Sequence, residues 1–180
     1  MALKSTIFKA KIGIADLDRH YYAEHQLTLA RHPSETDERL MVRLLAFALF
    51  ADDRLEFGRG LSTEDEPALW LRDYTGDIKL WIEVGLPDGR LLRRAAGRAG
   101  RVVVVAYGGR AVDAWWAREG PTLSGMGNLE VLLVAAAESA ALAELAERSM
   151  DLQCTIQDRH VLLSDGTRTL TIEPERLTPA

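Results

Sequence analysis

Residues 69–85 read LWLRDYTGDIKLWIEVG, and this stretch decides the fold: two β-like runs, Leu69–Asp73 and Ile78–Gly85, flank a polar, glycine-containing turn at Tyr74–Asp77. A tight turn there sets Trp70 opposite Trp81, Leu69 opposite Ile82, Leu71 opposite Leu80 and Arg72 opposite Lys79. Apolar and polar positions then alternate in step on both strands, which is what pins a register. The same register puts Glu83 on the tryptophan face, with Glu66 diagonal to it and Gly85 opposite Glu66.

Upstream, Leu55–Leu61 reads as a further strand, so the three runs form a meander. Downstream, Arg90–Arg98 is rich in Leu, Ala and Arg and reads as a helix. Arg101–Tyr107 then carries four consecutive valines, the mark of a strand buried on both faces and parallel to a neighbour. Ala111–Arg118 is expected as an outer helix, Leu129–Val134 as a second buried strand, and Ala136–Arg148 as an Ala/Leu/Glu helix. Leu152–Ile172 is again β, with Asp165-Gly166 as a hairpin turn. At the amino end, Ile7–Ile14 and Gln26–Ala30 read as a hairpin. His32-Pro33-Ser34 follows as a turn with a capping hydroxyl, and a helix runs from about 35 to about 51 with Glu35, Asp37 and Glu38 at its positive end. The expected fold class is α/β with a mixed sheet. The meander and the valine strands form that sheet, the first helix and the Arg90 helix pack on it, and extra strands come from both ends of the chain.

Composition bounds the rest. The sequence has 180 residues, 47% hydrophobic and 27% charged, which fits one globular domain over residues 1–180. Cys154 is the sole cysteine, so an internal disulfide and a thiolate zinc cluster are both excluded and a reducing cytoplasm is expected. The charged start MALKSTIFKAKIG implies no export, and no apolar run approaches the length that spans a bilayer. A net charge of -5 is opposite to that of a general duplex-DNA binder, so any nucleic-acid contact must be local.

Chemistry concentrates at the acids. Carboxylates from adjacent strands can hold a hard cation such as Mg²⁺ or Mn²⁺. Glu66 and Glu83 are such a pair, and Glu38 or Glu35 on the first helix continues the stripe that faces the sheet. Each has a bland reading too: an ion pair with Lys79 or Arg72 for Glu83, a turn-and-cap role for Glu66, helix capping for Glu35 and Glu38. Trp115-Trp116 reads as packing, the four histidines lack metal or triad spacing, and Gly108-Gly109 is not part of a GxGxxG.

Four stretches, LTLARHPSETDERLMVRLLAFALFADD (27–53), FGRGLSTEDEPALWLR (57–72), DIKLWIEVGLPDGRLLRRA (77–95) and MDLQCTIQD (150–158), resemble the YaeQ family over essentially the whole chain. The resemblance implies a variant of the PD-(D/E)XK nuclease fold. It further implies a metal site in which Glu38 or Glu35 is the helix acid, Asp65-Glu66-Pro67 holds the second-strand acid and Glu83 is the third-strand acid. That superfamily places a lysine two residues after the last acid, where this chain has Gly85. Lys79, or Arg93 and Arg94, would then have to supply the cation. Two functions follow as expectations. One is Mg²⁺- or Mn²⁺-dependent phosphodiester hydrolysis on nucleic acid, with Glu38, Glu66, Glu83 and Lys79 as its residues. The other is a non-catalytic module that has lost the nuclease lysine and binds a protein or nucleic acid.

Overall fold

A computed structural model describes residues 4–59 and 65–179. Its elements run β1 (Thr6–Asp16), β2 (Tyr21–Arg31), α1 (Asp37–Leu49), β3 (Leu55–Phe57), β4 (Leu69–Arg72), β5 (Ile78–Val84) and α2 (Gly89–Arg98). They continue through β6 (Ala99–Ala106), α3 (Arg110–Ser124), β7 (Leu129–Leu133), α4 (Ala136–Ala143), β8 (Ser149–Gln157), β9 (His160–Ser164), β10 (Thr169–Ile172) and β11 (Glu175–Arg176).

Among the described residues there are two mixed sheets and four helices. One sheet has the order β11-β7-β6-β5-β4-β3, with β3, β4 and β5 as the antiparallel meander and β5, β6 and β7 parallel. The strands from the two ends of the chain form a second sheet, β10-β9-β8-β1-β2, in which β1 pairs antiparallel with β2 and parallel with β8. One hydrophobic cluster joins Ile12, Leu152 and Leu163 of this second sheet to Leu44 and Phe47 of α1, Leu142 of α4, and Leu69, Ile82 and Val103 of the first sheet. The other cluster joins Trp81, Val102 and Val104 on the opposite face of the first sheet to Leu92 of α2 and Trp115 and Leu123 of α3. The layers are therefore sheet, α1 with α4, sheet, α2 with α3. Position in the middle explains why every residue of α1 from Leu40 to Ala48 is buried, Arg43 included.

Several boundaries differ from the sequence reading, each for a local reason. The Ser34 hydroxyl is taken by His32 Nδ1 at 2.6 Å, so the helix cap passes to Thr36, whose Oγ1 accepts the Arg39 N–H at 3.1 Å. Arg72 pairs with Ile78, not Lys79, because a bulge follows the Leu71–Leu80 pair. The Asp73 carboxylate causes it by accepting the backbone N–H groups of Thr75 and Asp77 at 2.9 and 3.0 Å, which closes a turn one residue longer and leaves Lys79 as the extra residue. Turn bonds between Glu144 and Ala141 and between Leu145 and Leu142 end α4 short of Arg148. The Leu55–Leu61 run is a strand only to Phe57, and its last two residues lie outside the described ones.

Cys154 faces the core from β8 at 2% exposure, and burial pushes its thiol up to about 12. Thiol reagents are expected to modify it only as fast as the protein unfolds, and rapid labelling under native conditions would contradict this packing.

Candidate functional site

The register expected around the tryptophans is present: Trp70 is paired with Trp81, their rings edge to face with centroids 6.1 Å apart. Glu83 shares their face. The Trp81 Nε1–H donates to Glu83 Oε1 at 2.9 Å, while the rest of the Trp81 ring is sealed under α2 and α3. Burial pushes the Glu83 carboxyl up to about 7; the Trp81 hydrogen bond and the Arg39 charge pull against this without cancelling it. Glu83 is the only carboxyl among the described residues with a resolved upward shift, those of Asp18, Asp73 and Asp165 being downward.

Most of the other expected residues have ion-pair partners of their own. Lys79 lies 3.2 Å from Asp73 at the turn, and the Asp73 carboxyl is held far below the usual range by Thr75, Lys79 and the turn amides, although loss of some hydration opposes them. Glu66 accepts the Arg59 N–H at 2.9 Å, with the Arg59 Nε 3.4 Å away. Glu35 is buried and grips two arginines of its own neighbourhood: Arg39 one turn on and Arg43 at 2.6 Å. Burial pushes Arg43 downward against the pull of Glu35, and its Nη2 also donates to the Ala30 carbonyl at 3.1 Å. Glu38, half-buried in the first turn of α1, has no ion-pair partner among the described residues.

Because α1 packs on the Ile82 and Val103 face, Glu35 and Glu38 stand on the side of the sheet opposite Glu83. The two sides meet around the carboxyl ends of β5 and β6. There Tyr107 feels the charges of Arg39, Glu38 and Glu35, and Arg39 also acts on Glu83. No group of three or more His, Cys, Asp or Glu side chains is arranged to hold a metal ion among the described residues.

Gly85 has a structural reason to be glycine. Its φ is +107°, a conformation that side-chain-bearing residues rarely adopt, although an added Cβ would meet nothing within 4 Å. Lysine there would cost about 1–3 kcal/mol in backbone strain. The turn out of β5 and the absence of the lysine are thus one feature.

Sequence reasoning passed over Arg39, Arg43 and Tyr107. The signal for Arg43 was available as a lone charge inside the apolar run Leu40–Ala48, whereas nothing in the sequence marks Tyr107. Trp115 and Trp116 are packing residues, as expected: Trp115 is 2% exposed and donates to the Pro87 carbonyl at 2.8 Å.

The sequence model of one family, described as YaeQ protein, matches residues 1–174. Among curated relatives, "Uncharacterized protein YaeQ" of Salmonella typhi is 49% identical over 96% of this chain and 96% of its own length. The Escherichia coli (strain K12) protein of the same description is 46% identical over 96% and 95%. A crystal structure of YaeQ protein from Xanthomonas axonopodis pv. citri superposes with TM-score 0.94 at 49% identity, covering 98% of this chain and 99% of that one. One from Pseudomonas syringae gives TM-score 0.93 at 35% identity, covering 98% and 97%.

Proposed function

The chain belongs to the YaeQ family, and from that premise we propose that it is a cytoplasmic PD-(D/E)XK-like domain that hydrolyses a phosphodiester of nucleic acid with Mg²⁺ or Mn²⁺, centred on Glu83. Glu83 itself carries this reading. A carboxyl raised to about 7, at the carboxyl ends of parallel strands, exchanges its proton at neutral pH and is the kind of group that active sites use. The residues present do not make a resident metal cage. They fit an ion that keeps its waters and arrives with its phosphate, a mode in which Mg²⁺ needs only one or two carboxylates. Glu83 would be that carboxylate; Glu38, on the α1 side of the sheet, would reach such an ion only around the carboxyl ends of β5 and β6, and Glu66 and Lys79 would contribute only on leaving Arg59 and Asp73. Such an ion would polarise the phosphoryl oxygen. Glu83 would take its place beside such an ion on releasing its proton, and Trp81 would fix which oxygen faces outward.

Incubation with single- and double-stranded DNA and RNA plus Mn²⁺ tests this. Cleavage is expected to rise as pH passes through about 7, when Glu83 loses its proton, and to vanish in Glu83→Gln. Cleavage that persists in the variant would place the activity elsewhere.

A non-catalytic binding module is the second reading, favoured by Gly85 in the lysine position and by the ion pairs that occupy Glu35, Glu66 and Lys79. Calorimetric titration with Mn²⁺ in the presence of an oligonucleotide separates the two, since the module should give no heat that depends on Glu83.

A further inference from the structure

The helix α2 carries Arg90, Arg93, Arg94 and Arg98 within ten residues, all on its exposed face, while Leu92 and Ala95 hold it to the sheet. None of the four has a carboxylate partner among the described residues, although the net charge is -5 and most other arginines of the chain are paired. This arrangement works against stability. Like charges at i, i+4 repel, and Arg90 stands in the first turn, where the helix dipole disfavours a cation and only the Asp88 cap, accepting the Arg90 N–H at 2.7 Å, offsets it. A helix held only by its apolar face would not need it.

The same side of the sheet adds an aromatic ladder. The Arg98 guanidinium lies 5.3 Å above the Trp81 ring, Trp81 meets Trp70 edge to face, and the Arg72 guanidinium lies 4.4 Å above Trp70. Arg72 therefore presents a planar cation, about half exposed, over an aromatic ring, with one edge turned to Glu56 at 3.4 Å. Flat cations of this kind stack on unpaired bases and are useless to bases already stacked in a duplex. Arg90, Arg94 and Arg98 follow one another at about 6 Å along the helix axis, so they can meet successive phosphates of one strand. Since α2 begins at Gly89, directly after the turn that follows Glu83, its Arg90 end stands at the same end of β5 as Glu83.

We propose that α2 and the Arg72–Trp70 edge form an interface for single-stranded nucleic acid, with the arginine stripe on the backbone and Arg72 stacking on a base. The role of the bound strand as substrate rests on the phosphodiester reading of Glu83, but binding itself needs neither metal nor cleavage. Membranes and other polyanions share the charge complementarity and lack the bases.

Fluorescence anisotropy of a short labelled oligothymidylate, measured in EDTA across a salt series, tests the interface apart from the chemistry. The wild-type protein and Glu83→Gln are expected to bind alike. The triple variant Arg90→Ala/Arg94→Ala/Arg98→Ala should bind at least tenfold more weakly and lower the salt slope by about 2, from three phosphate contacts at about 0.7 each. The matching triple lysine variant should recover most of the affinity, which separates lost charge from lost folding. Arg72→Ala should weaken oligothymidylate several-fold and leave inorganic polyphosphate unchanged. Equal binding by the wild-type protein and the triple alanine variant, or polyphosphate or phosphatidylglycerol vesicles bound as tightly as the oligonucleotide, would overturn the proposal while leaving the Glu83 reading intact. Oligonucleotide binding by Glu83→Gln without any cleavage by the wild-type protein would instead keep this interface and remove the enzyme.

Discussion

Replacing Glu35 with alanine is expected to destabilise the protein by about 3–5 kcal/mol, because the variant leaves the Arg43 guanidinium buried without its counter-ion. Arg43 is 2% exposed and Glu35 6%, so neither reaches water, and the Arg43 Nε is already without a hydrogen-bond partner. Arg39, the other partner of Glu35, is less deeply buried and can turn its head to solvent. Arg43 has only the Ala30 carbonyl left. Urea unfolding of Glu35→Ala measures the loss. The double variant Glu35→Leu/Arg43→Met should recover most of it, since a buried pair replaced by apolar side chains of similar size removes both desolvation penalties together. A loss of less than about 1 kcal/mol in the single variant would mean that water reaches the pair. Glu35 would then serve as a helix-end acid and nothing more.

Glu83 should show the opposite behaviour, with the native residue the less stable one. Its carboxyl titrates near its ordinary 4.5 in the unfolded chain and at about 7 in the folded one. The folded state therefore holds this proton more tightly. The stability linked to it is fully present below about 4.5 and lost as pH rises through about 7. Glu83→Gln keeps an oxygen to accept from Trp81 Nε1–H and removes the titration. It is expected to match wild type near pH 4 and to exceed it at pH 8 by up to about 3 kcal/mol. Urea midpoints at the two pH values give the comparison. Parallel curves for wild type and variant across the range would show that Glu83 ionises freely in the folded protein. Stability given up at the one residue on which the proposed chemistry rests is the trade expected of a functional site.

The alternation of residues 69–85 made Trp70, Trp81 and Glu83 legible as neighbours on one face, because each strand residue's side is fixed by parity once the turn is placed. One residue was lost at Lys79, where the Asp73 carboxylate lengthens the turn by a side-chain geometry that no apolar pattern encodes. The ends of the chain were legible as strands, but not the pairing of β1 with β8, which brings residues about 140 apart into contact. Acids were legible as candidates and not as a cluster. Whether Glu35 meets Glu83 or Arg43 depends on which face of the sheet α1 covers.

By itself the sequence determined the order and kind of nearly every element, the register of the tryptophan strands, the family, and the glycine after Glu83. These follow from local periodicity, turn chemistry and residue identity, which act over a few positions along the chain. Only the tertiary structure decided that α1 lies between two sheets, that Glu35 answers to Arg39 and Arg43 of that helix, and that Glu83 lies half-buried beside Trp81 on the other side. Those outcomes depend on which surfaces exclude water from which charges, and desolvation belongs to the packed layers as a whole, not to any single stretch of chain.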